Sequence, residues 1–503
     1  MCGIAAALGL HAPDRIREMM ARMHHRGPDG EGEARVGDAW LGHVRLAIVD
    51  PAGGAQPLSN EDGTVGVAFN GEIYNHRHLR AQLLHEHRFR TACDTEVLVH
   101  LFEERREHLV SDLDGMFAFA MATPDGLLLA RDPMGIKPLY HGRRGDTILV
   151  ASELKAFPPM DELHALPAGH ACFAGETPHR FALPCAPVPM PGLTWSQAVA
   201  GVRERLEAAV TKRLMGDVPI GVFLSGGLDS SIVAALMRRH VPHLHSFAAG
   251  MEGAPDLQAA RRMADFLGTR HHEVIYTADE AVAALPEVVA SLESFDAPLV
   301  RSAVPGWFVS RLAAQHVKVV LTGEGADELF AGYAYLGALG GGEALRQELV
   351  GILDRLQDTN LQRTDRMTMA HGLEGRVPFL DLDLVRYACS LPVSMLEPRE
   401  DRPEKWLLRE AFRDLLPDDI AMRAKLKFSE GTGSADILAA HAARRVPVAR
   451  FLEEREVADG IVLRSPEEMF YWDLWLDALG PDIPVSLVGR TRDRSAAGWD
   501  ETS

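Results

Sequence analysis

The chain has 503 residues, a length that favours two to four domains over a single one. Its 52 basic and 71 acidic residues give a net charge of −19, which argues against sequence-independent nucleic-acid binding and against docking on an anionic membrane. Hydrophobic residues at 47% and charged residues at 24% are typical of a globular protein and exclude collagen-like and wholly disordered chains.

Short apolar runs separated by Gly, Asn and Asp dominate the first third of the chain and predict an antiparallel, strand-rich domain. Strands are predicted over 40–49, 65–69, 117–121, 127–130 and 147–151, and helices over 14–23 and 95–107. A segment with four prolines, 183–192, predicts an extended linker. We therefore expect one domain over 1–184 and a second over 185–503.

Strands and helices alternate after the linker, and some of the strands are continuously apolar. Strands are predicted over 219–224, 244–249, 272–276 and 317–321, and helices over 195–213, 230–239, 255–267, 278–292 and 303–315. This alternation is typical of a parallel α/β sheet covered by helices on both faces. The chain from about residue 400 onward reads as helical.

The five cysteines are scattered without a C-x-x-C pair, which indicates neither a zinc ribbon nor a disulfide framework. We expect reduced thiols in a cytoplasmic protein, because no signal peptide and no apolar run of membrane-spanning length are recognisable. The cysteines are Cys2, Cys93, Cys172, Cys185 and Cys389.

Cys2 becomes the first residue if Met1 is removed, and its α-amino group could then act as the general base for its own thiol. Asn70 and Gly71 offer the amide donors that an oxyanion hole needs. Arg45 could clamp a carboxylate in a bidentate manner, while Glu72 and Asp94 could pair with an α-ammonium group. Taken one at a time, these residues are equally typical of turns and surface charges.

Together, the ordered blocks MCGI, HHRGPDG, RLAIVD, NGEIYN and CDTEV, with the later RDPMGIKPLY, resemble the glutaminase domain of class II, N-terminal-nucleophile amidotransferases. The resemblance covers about residues 2–160 and implies an α+β sandwich. It implies that Cys2 is the nucleophile and that Asn70 and Gly71 hold the oxyanion. The glutamine-binding residues that it implies are Arg45, Leu46, Val49, Asn70, Gly71, Glu72 and Asp94.

The loop SGGLDSS, residues 225–231, follows a predicted strand and opens a predicted helix. Its glycines allow backbone N–H groups to approach an anion, and a helix N-terminus favours negative charge. Asp229 among phosphates makes sense only with a divalent cation present. The loop lacks the lysine of a P-loop. It resembles the pyrophosphate loop of ATP pyrophosphatases, which split ATP into AMP and pyrophosphate.

A second acidic block, LTGEGADELFAGY at 321–333, follows another apolar strand, so Glu324 and Asp327 should lie at the same sheet edge as Ser225. Downstream, Arg423, Lys425 and Lys427 form a local basic cluster in an acidic chain. The ordinary interpretation of the acidic block is a capped helix start, and that of the basic cluster is a solvated helix end.

The two segments resemble those of glutamine-hydrolysing asparagine synthetases, with Thr322 in place of the usual serine. The resemblance implies that Asp229 and Asp327 bind Mg²⁺, that Glu324 serves the acyl-adenylate chemistry, and that Lys425 stabilises the transferring adenylyl group. Arg301 is a candidate for the acceptor carboxylate, although the threonine pair expected upstream of it is missing. The implied ATP contacts are Leu224, Ser225, Gly226, Gly227, Asp229, Ser230, Ala249, Thr322 and Gly323.

The 22 histidines include no H-E-x-x-H motif. The pairs His85/His87 and His271/His272 lack a matching spacing of cysteines or carboxylates, so we interpret them as surface or locally satisfied side chains and not as zinc ligands.

These observations predict a glutaminase domain followed by an α/β ATP pyrophosphatase domain with a helical C-terminal part. The enzyme would amidate aspartate with ammonia from glutamine, with ATP and Mg²⁺ and a dry passage between the sites, and a homodimer is one assembly to test. Two alternatives stay open: an enzyme that amidates a different carboxylate, and a non-catalytic glutamine or nucleotide sensor.

Overall fold

The computed structural model describes residues 2–400, 402–426 and 428–492, apart from the side chain of Asp459. The N-terminal part consists of two antiparallel sheets, in the orders β10-β8-β9-β1-β3-β2 and β12-β11-β7-β6-β5-β4. The strands are β1 (Cys2–Leu8), β2 (Gly30–Val36), β3 (Ala39–Arg45), β4 (Leu58–Ser59), β5 (Gly66–Ile73), β6 (Gly115–Thr123), β7 (Gly126–Arg131), β8 (Tyr140–Arg144), β9 (Thr147–Ala151), β10 (Glu162–Ala165), β11 (His170–Phe173) and β12 (His179–Arg180).

The two sheets pack face to face, with one helical layer on each outer side. In β1, Ile4 and Ala6 pack between the sheets, whereas Ala5 and Ala7 face the opposite way toward the first helix, as the two-residue period of a strand requires. Three helices cover the outer faces: α1 (Asp14–Arg22) on the first sheet, and α2 (His76–Leu83) with α3 (Glu96–Arg105) on the second. The predicted α+β sandwich is confirmed.

The second part is built on a parallel sheet in the order β15-β14-β13-β16-β17. Its strands are β13 (Ile220–Phe223), β14 (His245–Gly250), β15 (Arg270–Ile275), β16 (Val319–Leu321) and β17 (Glu374–Arg376). The strand order reverses between β13 and β16, and ligands of such sheets bind outside the carboxyl ends of the strands at this reversal. The loops after β13 and β16 are the two motif segments.

Helices surround this sheet, and the described residues after about 400 are largely helical, as predicted. They are α4 (Trp195–Lys212), α5 (Leu228–Arg238), α6 (Pro255–Leu267), α7 (Ala278–Ala283), α8 (Leu285–Leu292), α9 (Ala297–Ala313), α10 (Ala326–Leu329), α11 (Gly342–Arg355), α12 (Asn360–Met369), α13 (Leu382–Ser390), α14 (Trp406–Phe412), α15 (Asp418–Ala421), α16 (Phe428–Gly431), α17 (Ala435–Arg445), α18 (Val448–Glu454) and α19 (Pro466–Leu479). No helix in the described part of the chain is both long and apolar enough to cross a membrane.

Several element boundaries differ from the predictions. The helix predicted over 278–292 is two helices, because Pro286 lies in the first turn of α8 and cannot donate a backbone hydrogen bond to the preceding turn. Helix α9 begins six residues before the predicted start, because Asp296 caps it by accepting the N–H of Leu299. Strand β17 was not predicted, since two of its three residues are charged. The boundary at residue 184 stays a prediction.

The expectation of reduced thiols is wrong for two of the five cysteines. Cys185 of the linker and Cys389 of α13 form a disulfide with their Cα atoms 5.6 Å apart. They are 204 residues apart in the sequence, so no spacing pattern could reveal the pair. Cys2, Cys93 and Cys172 are free and buried.

The two domains share an interface with buried charges. Arg26, from the HHRGPDG block, is fully buried and donates hydrogen bonds to Glu153 at 2.7 Å and to Asp365 of α12 at 2.9 Å. Because a buried charge is costly without a partner, the bond to Asp365 ties the N-terminal part of the chain to the second part.

Candidate active sites

Cys2 lies at the start of β1, directly opposite Arg45 of β3. It is 6% exposed, and its backbone nitrogen donates a hydrogen bond to Asn70 Oδ1 at 3.0 Å. Burial raises the pKa of the Cys2 thiol. The thiol therefore needs a nearby base before it can act as a nucleophile.

Asn70 stands on β5 of the facing sheet and is fully buried. Its Oδ1 is occupied by Cys2, whereas its Nδ2 has no hydrogen-bond partner among the described residues. A buried amide donor without a partner is costly unless a ligand uses it. The Asn70 amide therefore offers a free donor beside Cys2, as an oxyanion hole would require.

Gly71 follows with a φ of +152°, and a Cβ there would lie 2.0 Å from the carbonyl oxygen of Met116. Only glycine fits this position, because any side chain would collide with the neighbouring strand. The backbone next to Asn70 is thus fixed by the pairing of β5 with β6.

Two buried carboxylates, Glu72 and Asp94, lie next to this donor. Burial, reinforced by the charges of Glu374 and Asp94, raises the pKa of Glu72 well above its ordinary value, and burial also raises the pKa of Asp94. Glu72 Oε2 has no hydrogen-bond partner in the described structure, whereas Asp94 Oδ2 accepts the N–H of Ile73 at 2.8 Å. An ammonium group is the ligand that would relieve this excess of buried negative charge.

The guanidinium of Arg45 donates to the backbone carbonyls of Pro51 at 2.9 Å and Asp50 at 2.8 Å. It therefore organises the loop after β3, in addition to the carboxylate clamp that its sequence position predicts. In the same loop Leu46 is buried and Val49 is partly buried, and both pack in a core that continues into the second domain.

The SGGLDSS loop connects β13 to α5 at the strand reversal. Ser225 and Ser230 are in contact through their hydroxyl groups at 3.1 Å, and the Gly227 N–H donates to Ser225 Oγ at 3.3 Å. Gly226 has a φ of +70°, and a Cβ on it would lie 2.3 Å from the backbone of Ala259 in α6. The turn is therefore a tight one that ends at a helix N-terminus, which suits an anion. Leu224 and Ala249, at the ends of adjacent strands, are buried beneath it.

The loop after β16 meets this turn directly. A Cβ on Gly323 would lie 2.7 Å from Asp229 Cβ and 2.9 Å from the backbone nitrogen of Ser230. The buried Thr322 precedes it. The prediction that the two segments share one sheet edge is confirmed by this close approach.

A lysine that the sequence did not single out, Lys405, bridges the two acids of the site. Its Nζ lies 2.6 Å from Asp229 Oδ2 and 2.5 Å from Asp327 Oδ1. Lys425 Nζ donates to Asp327 Oδ2 at 2.7 Å. Burial opposes ionisation of Asp327, but Lys405 and Lys425 outweigh it and hold its pKa below the usual range. Lys405 stands outside any motif, so only its position in space reveals it.

Arg423 joins the basic cluster to the turn after β13. It donates to Asp256 at 2.8 Å and to the Ser225 carbonyl at 3.4 Å. Glu324 accepts hydrogen bonds from Arg363 at 2.7 Å and Thr364 at 3.2 Å. The predicted third base, Lys427, lies outside the described residues.

Arg301, the candidate for binding the acceptor carboxylate, is on α9 and is already paired with a carboxylate of the chain. Its Nε donates to Glu467 Oε1 of α19 at 2.9 Å, and a second contact joins its Nη2 to Glu467 Oε2. An incoming acid would have to compete with Glu467 for this guanidinium.

Arg376 of β17 touches both sites. Its side chain lies 3.4 Å from Glu72 Oε1, and its carbonyl oxygen accepts the N–H of Thr322 at 2.9 Å. Its neighbour Glu374, held at 2.6 Å by the same guanidinium, is one of the charges that raise the pKa of Cys2.

Comparison with known proteins decides the family. Residues 1–170 match the family model of a glutamine amidotransferase domain, and residues 201–343 and 337–465 match that of asparagine synthase. The chain belongs to the glutamine-hydrolysing asparagine synthetase family. It is 41% identical to the glutamine-hydrolysing asparagine synthetase of Triphysaria versicolor over 476 residues, which cover 89% of this chain and 81% of that protein. It is 40% identical to that of Sandersonia aurantiaca over 518 residues, covering 96% and 97%.

The two family models together span both candidate sites. The two family models cover the residues of both motif regions, with the glutaminase residues in the first and the nucleotide loop in the second. The family implies ATP as a substrate of the second site.

Proposed function

We propose that this chain makes asparagine from aspartate and ATP, with ammonia that it releases from glutamine. The observation that carries the proposal is the contact of Arg376 with both sites, because one residue of β17 then joins a glutaminase centre to an adenylation centre. Products would be asparagine, AMP, pyrophosphate and glutamate.

In the first half-reaction the Cys2 thiol attacks the side-chain amide carbon of glutamine. Once Met1 is removed, the α-amino group of Cys2 accepts the thiol proton and later delivers a proton to the leaving ammonia. Charge that develops on the amide oxygen is stabilised by Asn70 Nδ2, with Gly71 as the second donor. The resulting thioester is hydrolysed by water to give glutamate. Glu72 and Asp94 hold the α-ammonium group of glutamine, and Arg45, Leu46 and Val49 line the remainder of its pocket.

In the second half-reaction an aspartate side-chain oxygen attacks the α-phosphorus of ATP, and pyrophosphate leaves. A carboxylate is a poor electrophile because oxide is a poor leaving group, whereas AMP leaves readily once ammonia has attacked the aspartyl-AMP carbonyl carbon. The turn at Ser225–Ser230 receives the pyrophosphate with its N–H and hydroxyl groups. Lys425 neutralises negative charge on the transferring adenylyl group, and Glu324 is positioned by Arg363 for the acyl-adenylate step.

Magnesium is the metal that the second site would bind, and the residues present fit it. Asp229 Oδ1 is buried and has no hydrogen-bond partner in the described structure, so it is available to coordinate a cation. With Asp327 it supplies the hard carboxylate oxygens that Mg²⁺ prefers. Bound there, the ion would neutralise phosphate charge, while Lys405 keeps the two carboxylates together.

The deciding experiment is a product assay with glutamine, ATP, Mg²⁺ and aspartate. Asparagine, AMP and pyrophosphate should form in equal amounts, and glutamate should form with them. A panel of other carboxylic acids is the control. Product from another acid but none from aspartate, with either glutamine or ammonia, would overturn the acceptor assignment.

Internal transfer of ammonia stays a prediction and can be tested by isotope competition. Glutamine labelled with ¹⁵N in its amide should give labelled asparagine even in an excess of unlabelled ammonium, because released ammonia that never reaches water is not diluted. Full dilution of the label would refute an internal passage. Homodimeric assembly and cytoplasmic location also stay predictions, to be checked by analytical ultracentrifugation and cell fractionation.

A further inference from the structure

A second set of chemistry-bearing residues lies on the outer face of the N-terminal domain, beside the helix that begins within the CDTEV block. Helix α3 contributes His100 and Glu103, the segment after α2 contributes His87, and the loop before β5 contributes Glu61. One ligand atom from each of these four residues lies within 4.8 Å of each of the others. We propose that this cluster binds one zinc ion.

Three distances between the inward-facing atoms are close to those between the ligands of a tetrahedral ion. His100 Nδ1 lies 3.2 Å from Glu103 Oε2 and 3.4 Å from Glu61 Oε2. His87 Nδ1 lies 3.5 Å from Glu103 Oε2 and 3.8 Å from Glu61 Oε1. Ligands about 2.0–2.1 Å from a tetrahedral zinc ion are separated by about 3.4 Å, so the three distances that involve Glu103 Oε2 or Glu61 Oε2 need little adjustment. His87 lies nearer the other Glu61 oxygen, so Glu61 would turn slightly to present Oε2 to the ion.

The outer nitrogens of both imidazoles also face carboxylates. His87 Nε2 is 3.1 Å from Glu104 Oε1, and His100 Nε2 is 4.0 Å from Glu96 Oε1. Zinc-binding histidines commonly turn one nitrogen to the metal and the other to a carboxylate, which fixes the tautomer and strengthens the ligand. His87 has that arrangement, with Nδ1 inward and Nε2 bonded to Glu104. His100 Nε2 also points outward, but at 4.0 Å from Glu96 it makes no hydrogen bond within the described structure.

Hydrogen bonds from neighbouring groups also orient the two carboxylate ligands. Glu103 Oε1 accepts a hydrogen bond from Asn60 Nδ2 at 2.9 Å, which leaves Oε2 facing the centre. Glu61 Oε1 accepts the N–H of Arg88 at 2.7 Å. These bonds fix the direction of each carboxylate before a metal arrives, which lowers the cost of binding one.

Charge and ligand type favour zinc over the alkaline-earth ions. Four carboxylates, those of Glu61, Glu96, Glu103 and Glu104, surround two imidazoles, and the guanidinium of Arg90 donates to the Glu61 carbonyl at 2.9 Å. Two protonated rings and this arginine still leave an excess of about one negative charge. Two nitrogen and two oxygen ligands at tetrahedral spacing suit Zn²⁺, whereas Mg²⁺ and Ca²⁺ require six or more oxygens.

The location of the cluster defines what the ion would do. His100 is 1% exposed on its helix, whereas Glu61 and Glu103 are about a third exposed, so an ion can enter from solvent. Glu96, which faces His100, also accepts the N–H groups of Arg90 at 2.6 Å and Thr91 at 2.8 Å. The ion would therefore brace the segment that leads into Asp94 of the glutaminase site, as a structural metal.

The test uses the full chain, stripped of metal and kept in millimolar Mg²⁺, with ZnCl₂ titrated by calorimetry. The wild type should bind one more zinc ion per chain than His87→Ala does. The zinc affinity of the cluster should fall by at least about 100-fold in His87→Ala. Glu104→Gln, which alters only an outer partner, should weaken binding by about 10–100-fold. His85→Ala is the matched control, because His85 is exposed two residues away and outside the cluster.

A second readout keeps the conclusion independent of folding defects. Zinc should slow hydrogen exchange of residues 85–103 in the wild type and in His85→Ala, but not in His87→Ala or in Glu103→Gln, which keeps its bond to Asn60. Circular dichroism without zinc should be the same for all variants. If His87→Ala and Glu103→Gln take up as much zinc as His85→Ala with the same affinity, or if the wild type takes up none, the cluster is a set of ion pairs only and the proposal fails.

Discussion

Replacing Asn70 tests the glutaminase chemistry most directly, because its two side-chain atoms have separate tasks. Oδ1 accepts the backbone N–H of Cys2 at 3.0 Å, and Nδ2 is a buried donor without a described partner. Asn70→Asp keeps an oxygen for Cys2 but removes the donor and adds a charge that repels an oxyanion. Asn70→Ala removes both.

The expected cost follows from the loss of one oxyanion donor, about 10²–10³ in kcat, or about 2.7–4 kcal/mol. Asn70→Asp should lie at the upper end of this range because of its added negative charge. Asn70→Ala leaves the buried Cys2 N–H unpaired, so it should also destabilise the glutaminase domain by about 1–3 kcal/mol.

The assay is glutamate release at saturating glutamine, compared with asparagine synthesis from ammonium in the same preparation. The second site is untouched, so the ammonia-dependent rate should stay within about twofold of wild type. A loss of less than tenfold in glutaminase kcat for Asn70→Asp would refute the oxyanion role. A parallel loss of the ammonia-dependent rate would show a general structural defect instead.

Three further changes test the rest of the assignment. Cys2→Ala should abolish glutamine-dependent synthesis but keep ammonia-dependent synthesis, and loss of both in the product assay would contradict the division into two sites. Lys405→Met should lower ATP–pyrophosphate exchange by at least about 100-fold, because Asp229 and Asp327 lose the cation that joins them; unchanged exchange with normal glutaminase activity would count against this role. Glu328 has its pKa raised by burial to about 7, so its ionisation makes the fold less stable as pH rises from about 4.5 to 7, by about 3 kcal/mol. Glu328→Gln should remove that part of the pH dependence in denaturant melts between pH 5 and 8, and an unchanged slope would argue against a raised pKa.

The fold class and most elements were predictable because they depend on local patterns. Helix α6 begins and ends at the predicted residues, where Pro255 opens the first turn and Gly268 follows the last one in a left-handed conformation. The exceptions have local physical reasons as well. A charged three-residue strand such as β17 carries no apolar signal, and Asp296 extends α9 backward by capping it.

The zinc cluster shows a different limit of sequence reasoning. Near His87 the sequence has no cysteines or carboxylates at the spacing of a zinc motif, and His87 is therefore interpreted from the sequence as a surface or locally satisfied histidine. Its predicted partners come from a loop 26 residues upstream and from one face of α3, where His100 and Glu103 are three residues apart. Helical periodicity brings the last two together, but only the packing of α3 on the second sheet brings them to His87.

The sequence by itself determined the chemistry that depends on contiguous residues. A cysteine at position 2, a glycine turn that opens a helix and an acidic turn after a second strand are each recognised from side chains that are adjacent along the chain. Tertiary structure alone decided the pairings across long separations, such as Lys405 with Asp229, 176 residues apart, and Arg26 with Asp365, 339 residues apart. The physical reason is that local propensity fixes which turn or helix forms, whereas the contact between two buried charges depends on the register and packing of whole sheets.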